Sequence, residues 1–157
     1  MITAREDRRV DEAASIWASA TCAREGDPEI PALSESRPLI EAVLGAPRSL
    51  LVLALALDGG AVGFAAIEPE SAAEPATAKV RYVAVDPAWW GRGVGRTLMG
   101  ALPEHLRGLG YTRAWLSVYI DNARGIALYE SAGWRAREGV ERNPRSGRPE
   151  RYFESDL

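Results

Sequence analysis

The 157-residue chain is poor in residue types that carry many familiar chemistries: it holds one cysteine, Cys22, one histidine, His105, and one lysine, Lys79. A single cysteine excludes an internal disulfide framework and any multi-cysteine zinc site, and a single histidine leaves little from which to build a metal centre. No metal is expected. Long apolar runs are missing too: the longest, Leu50 to Leu57, falls far short of the roughly 18 residues that span a bilayer. The opening residues MITAREDRRV contain no apolar segment of the signal-peptide kind, so a cytoplasmic location without a membrane partner is expected. A net charge of −3 and a pI near 5.3 lack the basic excess usual in nucleic-acid binders, so nucleic acid is not an expected partner either. What is present, 46% hydrophobic and 26% charged residues, is the balance of an ordinary globule, and the length suits a single domain over 1–157.

The charge is unevenly spread. Residues 1–78 carry six Arg against thirteen Asp and Glu, a balance of −7, whereas 79–157 carry thirteen Lys and Arg against nine acids, a balance of +4. An anionic ligand for the second half and a cationic one for the first would follow from this split, and so would plain uneven scatter of solvated charge.

Apolar periodicity lays out the elements. Ile2 to Ala4 reads as a short strand, and Val10, Ala13, Ala14, Trp17 and Ala18 recur at helical spacing within a helix over 7–24. A proline-rich loop over 26–38 leads to a short helix over 37–45. Two apolar runs, 49–57 and 61–67, flank Asp58-Gly59-Gly60 and predict a hairpin. A polar loop over 70–78 precedes a strand over 79–85, a helix over 93–108, a strand over 112–119 and a helix over 122–132. Two last strands, 134–140 and 151–156, enclose the loop 141–150.

Chemistry concentrates in two places. Trp90-Gly91-Arg92-Gly93-Val94-Gly95-Arg96 sits between a strand and a helix, where clustered glycines let unpaired backbone N–H groups and the helix dipole converge on an anion. The nucleotide-triphosphatase loop does not fit, because its first glycine falls on Trp90 and its lysine on Arg96. The dinucleotide fingerprint does not fit either, since its last glycine falls on Arg96 or Leu98. The second place is Asn122-Ala123-Arg124-Gly125-Ile126-Ala127-Leu128-Tyr129-Glu130-Ser131-Ala132-Gly133-Trp134.

Together, Tyr82-Val83-Ala84-Val85-Asp86-Pro87 with the glycine cluster, and the Asn122 to Trp134 stretch, resemble the GNAT superfamily of N-acetyltransferases. Trp90 stands where that family usually has Gln or Arg, Gly125 where it has Ala, and Trp134 where it has Phe. The resemblance implies an α+β domain whose central sheet, mixed but mostly antiparallel, has six to seven strands flanked by about four helices. It implies acetyl-coenzyme A as co-substrate, with the pyrophosphate on the backbone of Gly91, Arg92, Gly93, Val94, Gly95 and Arg96. The pantetheine arm would lie along Val83, Ala84 and Val85, and Asn122 would also meet the coenzyme. Tyr129 matches the family position that serves the departing sulfur. The activity implied is acetyl transfer to a primary amine of a small molecule or peptide, cationic if the acidic half meets it. A coenzyme-binding sensor without turnover and a transferase for longer acyl groups are the alternatives.

Proton transfer is harder to assign. An alkylamine of pKa about 10.4 is mostly protonated at pH 7, so the site must supply or stabilise the neutral amine. In N-terminal acetyltransferases of the family, a Glu lies five residues before the motif's Asn; Ser117 stands there in this chain. Glu68 is a substitute base acting through water, with Asp27 and Glu29 weaker candidates and His105 and Cys22 read as structural. A phenol near pKa 10 would either hydrogen-bond the leaving sulfur or need a lowered pKa to protonate it outright. Trp89 and Trp90 are placed to cover the coenzyme or to meet a second copy in a homodimer.

Overall fold

The computed structural model of the protein describes residues 2–3 and 7–157. The strands are β1 (Ile2–Thr3), β2 (Leu50–Leu55), β3 (Ala61–Pro69), β4 (Thr77–Val85), β5 (Arg113–Tyr119), β6 (Arg135–Ala136), β7 (Glu141–Arg142) and β8 (Pro149–Asp156). The helices are α1 (Asp7–Glu25), α2 (Leu33–Leu44), α3 (Val94–Gly108) and α4 (Ala123–Ser131). The sheet runs β1-β2-β3-β4-β5-β8-β6, with β7 paired to β8 beside that path. All its pairs are antiparallel except β4 with β5. The expected class is therefore met: an α+β fold with a mixed, mostly antiparallel sheet and four helices.

Alternation along the strands builds two cores. Val52, Ala65, Ala78, Leu116 and Phe153 face α3 and α4 and pack on Leu98, Met99, Leu102 and Tyr129. Leu51, Leu53, Phe64 and Ala66 face the other way, onto Val10, Ala13 and Ala14 of α1 and Ile40 and Val43 of α2. Burying large aliphatic side chains on both faces stabilises such a layer by about 1.5–3 kcal/mol each.

One irregularity positions the site. The register with β3 jumps from Ala66↔Tyr82 to Ile67↔Val80, leaving Arg81 as an extra residue in β4. Such a bulge shifts which residues face which side. Before it Ala78 and Val80 face α3; after it Val83 and Val85 do, while Tyr82 and Ala84 face α1. Beyond the bulge β4 also leaves β5. The parallel ladder joins only Thr77 to Arg113, Ala78 to Ala114 and Lys79 to Trp115, and a cleft opens from there on.

Several boundaries differ from the sequence reading. Helix α2 starts at Leu33 rather than at the expected 37, so Pro38 lies in its interior rather than in its first turn. Strand β4 takes in Thr77 and Ala78, so the preceding loop is shorter. The expected strand over 134–140 is reduced to Arg135–Ala136, and Glu141–Arg142 forms β7 within what reads as a loop. The expected strand over 2–4 is present at Ile2–Thr3; Ala4 lies outside the described residues.

Candidate active site

The site begins at the free edge of β4. In an antiparallel pair, opposed residues alternate between exchanging both backbone hydrogen bonds and exchanging none. Asp86 N–H donates to Val62 C=O at 2.9 Å, so the opposed pairs Gly63↔Val85 and Ala65↔Val83 are of the non-bonded kind. The peptide groups of Val83 and Val85 therefore point away from β3, into the cleft where β5 has departed. The Val85 carbonyl there accepts the indole N–H of Trp90 at 2.8 Å. The other edge groups are presented to the cleft as a strand edge presents itself to an added strand.

From this edge the chain turns into α3. Asp86 accepts from the Ala88 N–H at 2.9 Å and starts a 3-10 turn over Pro87–Trp89. Gly91 and Gly93 then take φ of 76° and 81°, a left-handed backbone that only glycine adopts without strain. Gly93 is the N-cap of α3 and offers no side-chain cap, and the first helical bond of this turn is Thr97 N–H to Gly93 C=O. The N–H groups of Val94, Gly95 and Arg96 thus begin the helix without intrahelical partners, at the positive end of its dipole.

Helix α4 supplies the opposite wall. Asn122 caps it, its side-chain oxygen accepting from Gly125 N–H at 3.0 Å. This fold-back explains Gly125 in place of alanine: a Cβ there would lie 2.8 Å from Asn122 Nδ2. Two turns along, Tyr129 is only 8% exposed, its ring 5.9 Å from that of Phe153. Burial pushes its phenol up to about 12, opposed in part by the nearby Arg24 charge. The lowered pKa considered from the sequence is therefore contradicted. Transfer of a proton from this phenol to a thiolate near 8.5 would be uphill by roughly 5 kcal/mol.

These elements enclose one cavity of about 880 Å³. Val83, Ala84, Val85, Gly91, Gly93, Val94, Gly95, Arg96, Asn122 and Tyr129 all line it, so the sequence-derived coenzyme residues come together. Arg92 is the exception: it lies outside the lining, its guanidinium 5.1 Å over the Trp89 ring. Trp89 and Trp90 line the cavity, and Arg124 lies 4.6 Å over the Trp90 ring. Residues Trp17 to Arg24 of α1 close it from the other side of the sheet, a contribution that the helical pattern of α1 alone does not disclose. Arg24, Arg96 and Arg124 give the lining a positive excess over Asp121. That lining suits a long anionic ligand with an extended amide-bearing arm.

The other base candidates lie elsewhere. Glu68 sits on β3 outside the cavity lining, 3.5 Å from Arg81 in an ion pair. Asp27 and Glu29 are exposed on the loop after α1, where the buried Cys22 thiol donates to their backbone carbonyls at 3.1 and 3.3 Å. His105, on α3, is also outside the lining. Ser117 is exposed on the α1-facing side of β5. Among the described residues no His, Cys, Asp and Glu group is arranged to hold a metal ion.

Comparison with known proteins agrees with this geometry. The acetyltransferase (GNAT) family model matches residues 13–134. The chain is 38% identical over 84 residues to the N-alpha-acetyltransferase RimI of Mycobacterium tuberculosis, covering 54% of this chain and 51% of that protein. It is 41% identical over 68 residues to the mycothiol acetyltransferase of Kocuria rhizophila, covering 43% and 22%. The chain thus spans about half or less of the length of these curated relatives. Among solved structures, the ribosomal-protein-alanine N-acetyltransferase of Brucella melitensis superposes with a TM-score of 0.78 at 19% identity, covering all of both chains. At that identity the likeness speaks for the fold alone.

Proposed function

Because the chain belongs to the GNAT acetyltransferase family, we propose that it binds acetyl-coenzyme A in the cavity between β4, α3 and α4 and acetylates the amine of a small molecule or peptide. The observation that carries this reading is the continuity of one surface: uncapped α3 amides, the β4 edge at Val83 and Val85, and the Tyr129 side chain all line the same cavity. A diphosphate is suited to the first, an amide-bearing arm to the second, and a leaving sulfur to the third. The coenzyme supplies an activated acetyl thioester. The protein's part is to orient it, to stabilise developing charge on the carbonyl oxygen with a backbone N–H, and to donate a hydrogen bond from Tyr129 to the sulfur.

Arg24, Arg96 and Arg124 favour the anionic coenzyme over neutral thioesters. RimI and mycothiol acetyltransferase, named above, make an amine acceptor the natural class for this chain. Thiol release measured with acetyl-coenzyme A over a panel of polyamines, amino sugars and peptides tests the reading. Saturable release with at least one amine is expected. Coenzyme binding without release for any acceptor would favour a sensor instead, and failure to bind acetyl-coenzyme A would overturn the assignment.

A further inference from the structure

The proposed coenzyme occupies the α3 and α4 sides of the cavity and leaves its α1 wall without a ligand. Trp17, Ala20, Thr21 and Arg24 follow one another at three- and four-residue spacing, so they form one stripe along α1, and all four line the cavity. The stripe is uncharged until its last member. Trp17 is set against Tyr82 of β4, ring centroids 4.7 Å apart, which fixes the apolar end of the wall beside that strand.

Arg24 is placed for a ligand of its own. Its Nε donates to Glu25 at 3.2 Å, and among the described residues its two terminal nitrogens have no hydrogen-bond partner. Glu25 is shared, the same oxygen accepting from Arg148 at 3.0 Å. The Arg24 charge is also the one felt at the buried Tyr129 phenol, so the guanidinium stands at the end of the cavity where the leaving sulfur belongs in the proposed function. Arg96 and Arg124, in the first turns of α3 and α4, serve the other end together with the α3 amides.

No acid in the described lining is free to receive an ammonium ion. Asp121 is the only one there, and both its oxygens accept from Arg148, at 3.0 and 3.1 Å. A polyamine would therefore bring its extra positive charge up to Arg24 with no carboxylate to offset it, against the expectation of a cationic acceptor. A carboxylate on the acceptor reverses the sign, because the planar guanidinium fork meets it with two parallel N–H groups in a charge-assisted pair. Building on the function proposed above, we infer that Arg24 binds the acceptor's carboxylate and that the acceptor is a free α-amino acid. In such a molecule one carbon separates carboxylate from amine, so a carboxylate fixed on Arg24 confines the amine to the Tyr129 end of the cavity. The side chain then lies along Trp17 and Ala20, a wall that suits an uncharged one.

The test measures thiol release from acetyl-coenzyme A with free amino acids, their carboxamides, the matching amines without a carboxyl group, spermidine, glucosamine and a peptide. At least one amino acid with an uncharged side chain should be acetylated, and converting its carboxylate to the carboxamide should lower kcat/KM about ten- to a hundredfold, chiefly through KM. Arg24→Gln should raise the KM for that amino acid by a similar factor, about ten- to a hundredfold, and leave the carboxyl-free amine little changed. Arg24→Lys should restore part of the loss. Coenzyme affinity of Arg24→Gln, by calorimetry, should stay within about threefold. The inference is overturned if only spermidine, glucosamine or the peptide is acetylated, if the carboxamide serves the native protein as well as the acid, or if Arg24→Gln leaves the amino-acid KM unchanged. A large loss of coenzyme affinity in Arg24→Gln would also overturn it, assigning the guanidinium to the coenzyme. Release with no amine at all would count against the proposed function, and against this inference with it.

Discussion

At the scale of single residues, the role proposed for Tyr129 can be separated from its part in stability. Among the described residues its hydroxyl has no hydrogen-bond partner, while its ring packs on Phe153 within the core facing α3 and α4. Tyr129→Phe removes the hydroxyl without opening a cavity, so the urea midpoint at pH 7 should move by less than about 0.5 kcal/mol. Turnover should still fall about ten- to a hundredfold, with acetyl-coenzyme A binding kept. The same residue predicts an alkaline signature. Its phenol ionises at about 12 in the folded protein and near 10 when unfolded, so between these values the native state holds a proton that the unfolded chain has lost. Stability should be whole below pH 10 and decline by about 2–3 kcal/mol toward pH 12, and Tyr129→Phe should lack that part of the decline. Denaturant midpoints at pH 9 and 11 for both proteins check this.

At the scale of elements, the turn into α3 is where backbone conformation and ligand binding coincide. Gly93 combines a φ of 81° with open space around the position a Cβ would take. Gly93→Ala therefore meets no clash, and its stability cost should be the left-handed backbone alone, about 1–2 kcal/mol. A larger loss is expected in acetyl-coenzyme A affinity, at least tenfold by calorimetry, because relaxing that φ re-aims the amides of Val94, Gly95 and Arg96. This turn was legible in the sequence because everything it needs is local: glycines at fixed spacing, a strand ending in Val85-Asp86-Pro87, a helix after it. The α4 segment was legible for the same reason. Three features were not. Helix α2 starts at Leu33 rather than at 37 because Ile40 and Val43 pack on the sheet, which outweighs the missing N–H of a proline in the helix interior. Strand β7 is two residues long and exists only as a partner of β8. Glu150 is a strand-end acid in sequence terms; only the pairing of β8 with β5 and β7 shows that it is covered and which residues oppose it.

At the scale of the whole molecule, charge is arranged by layer rather than by half of the chain. Arg24, from the acidic first half, lines the cavity with Arg96 and Arg124 from the basic second half. The −7 and +4 balances therefore do not divide the cavity's charge between the two halves. What ties the layers together is Arg148, on the turn between β7 and β8. It donates to Glu25 at the end of α1 at 3.0 Å and to Asp121 before α4 at 3.0 and 3.1 Å, and lies 3.9 Å over the Tyr119 ring. These partners are substantially solvated, so Arg148→Ala should cost only a few tenths of a kcal/mol at pH 7. The stability difference also has a defined pH dependence. Arg148 holds the Glu25 carboxyl below its ordinary value, so the contact stabilises the fold above the unfolded carboxyl range and is lost as pH falls through the lowered value. Native protein and Arg148→Ala should thus differ in urea midpoint at pH 7 and converge as Glu25 protonates in acid; a gap that persisted there would mean that Arg148 stabilises through its stacking on Tyr119 instead.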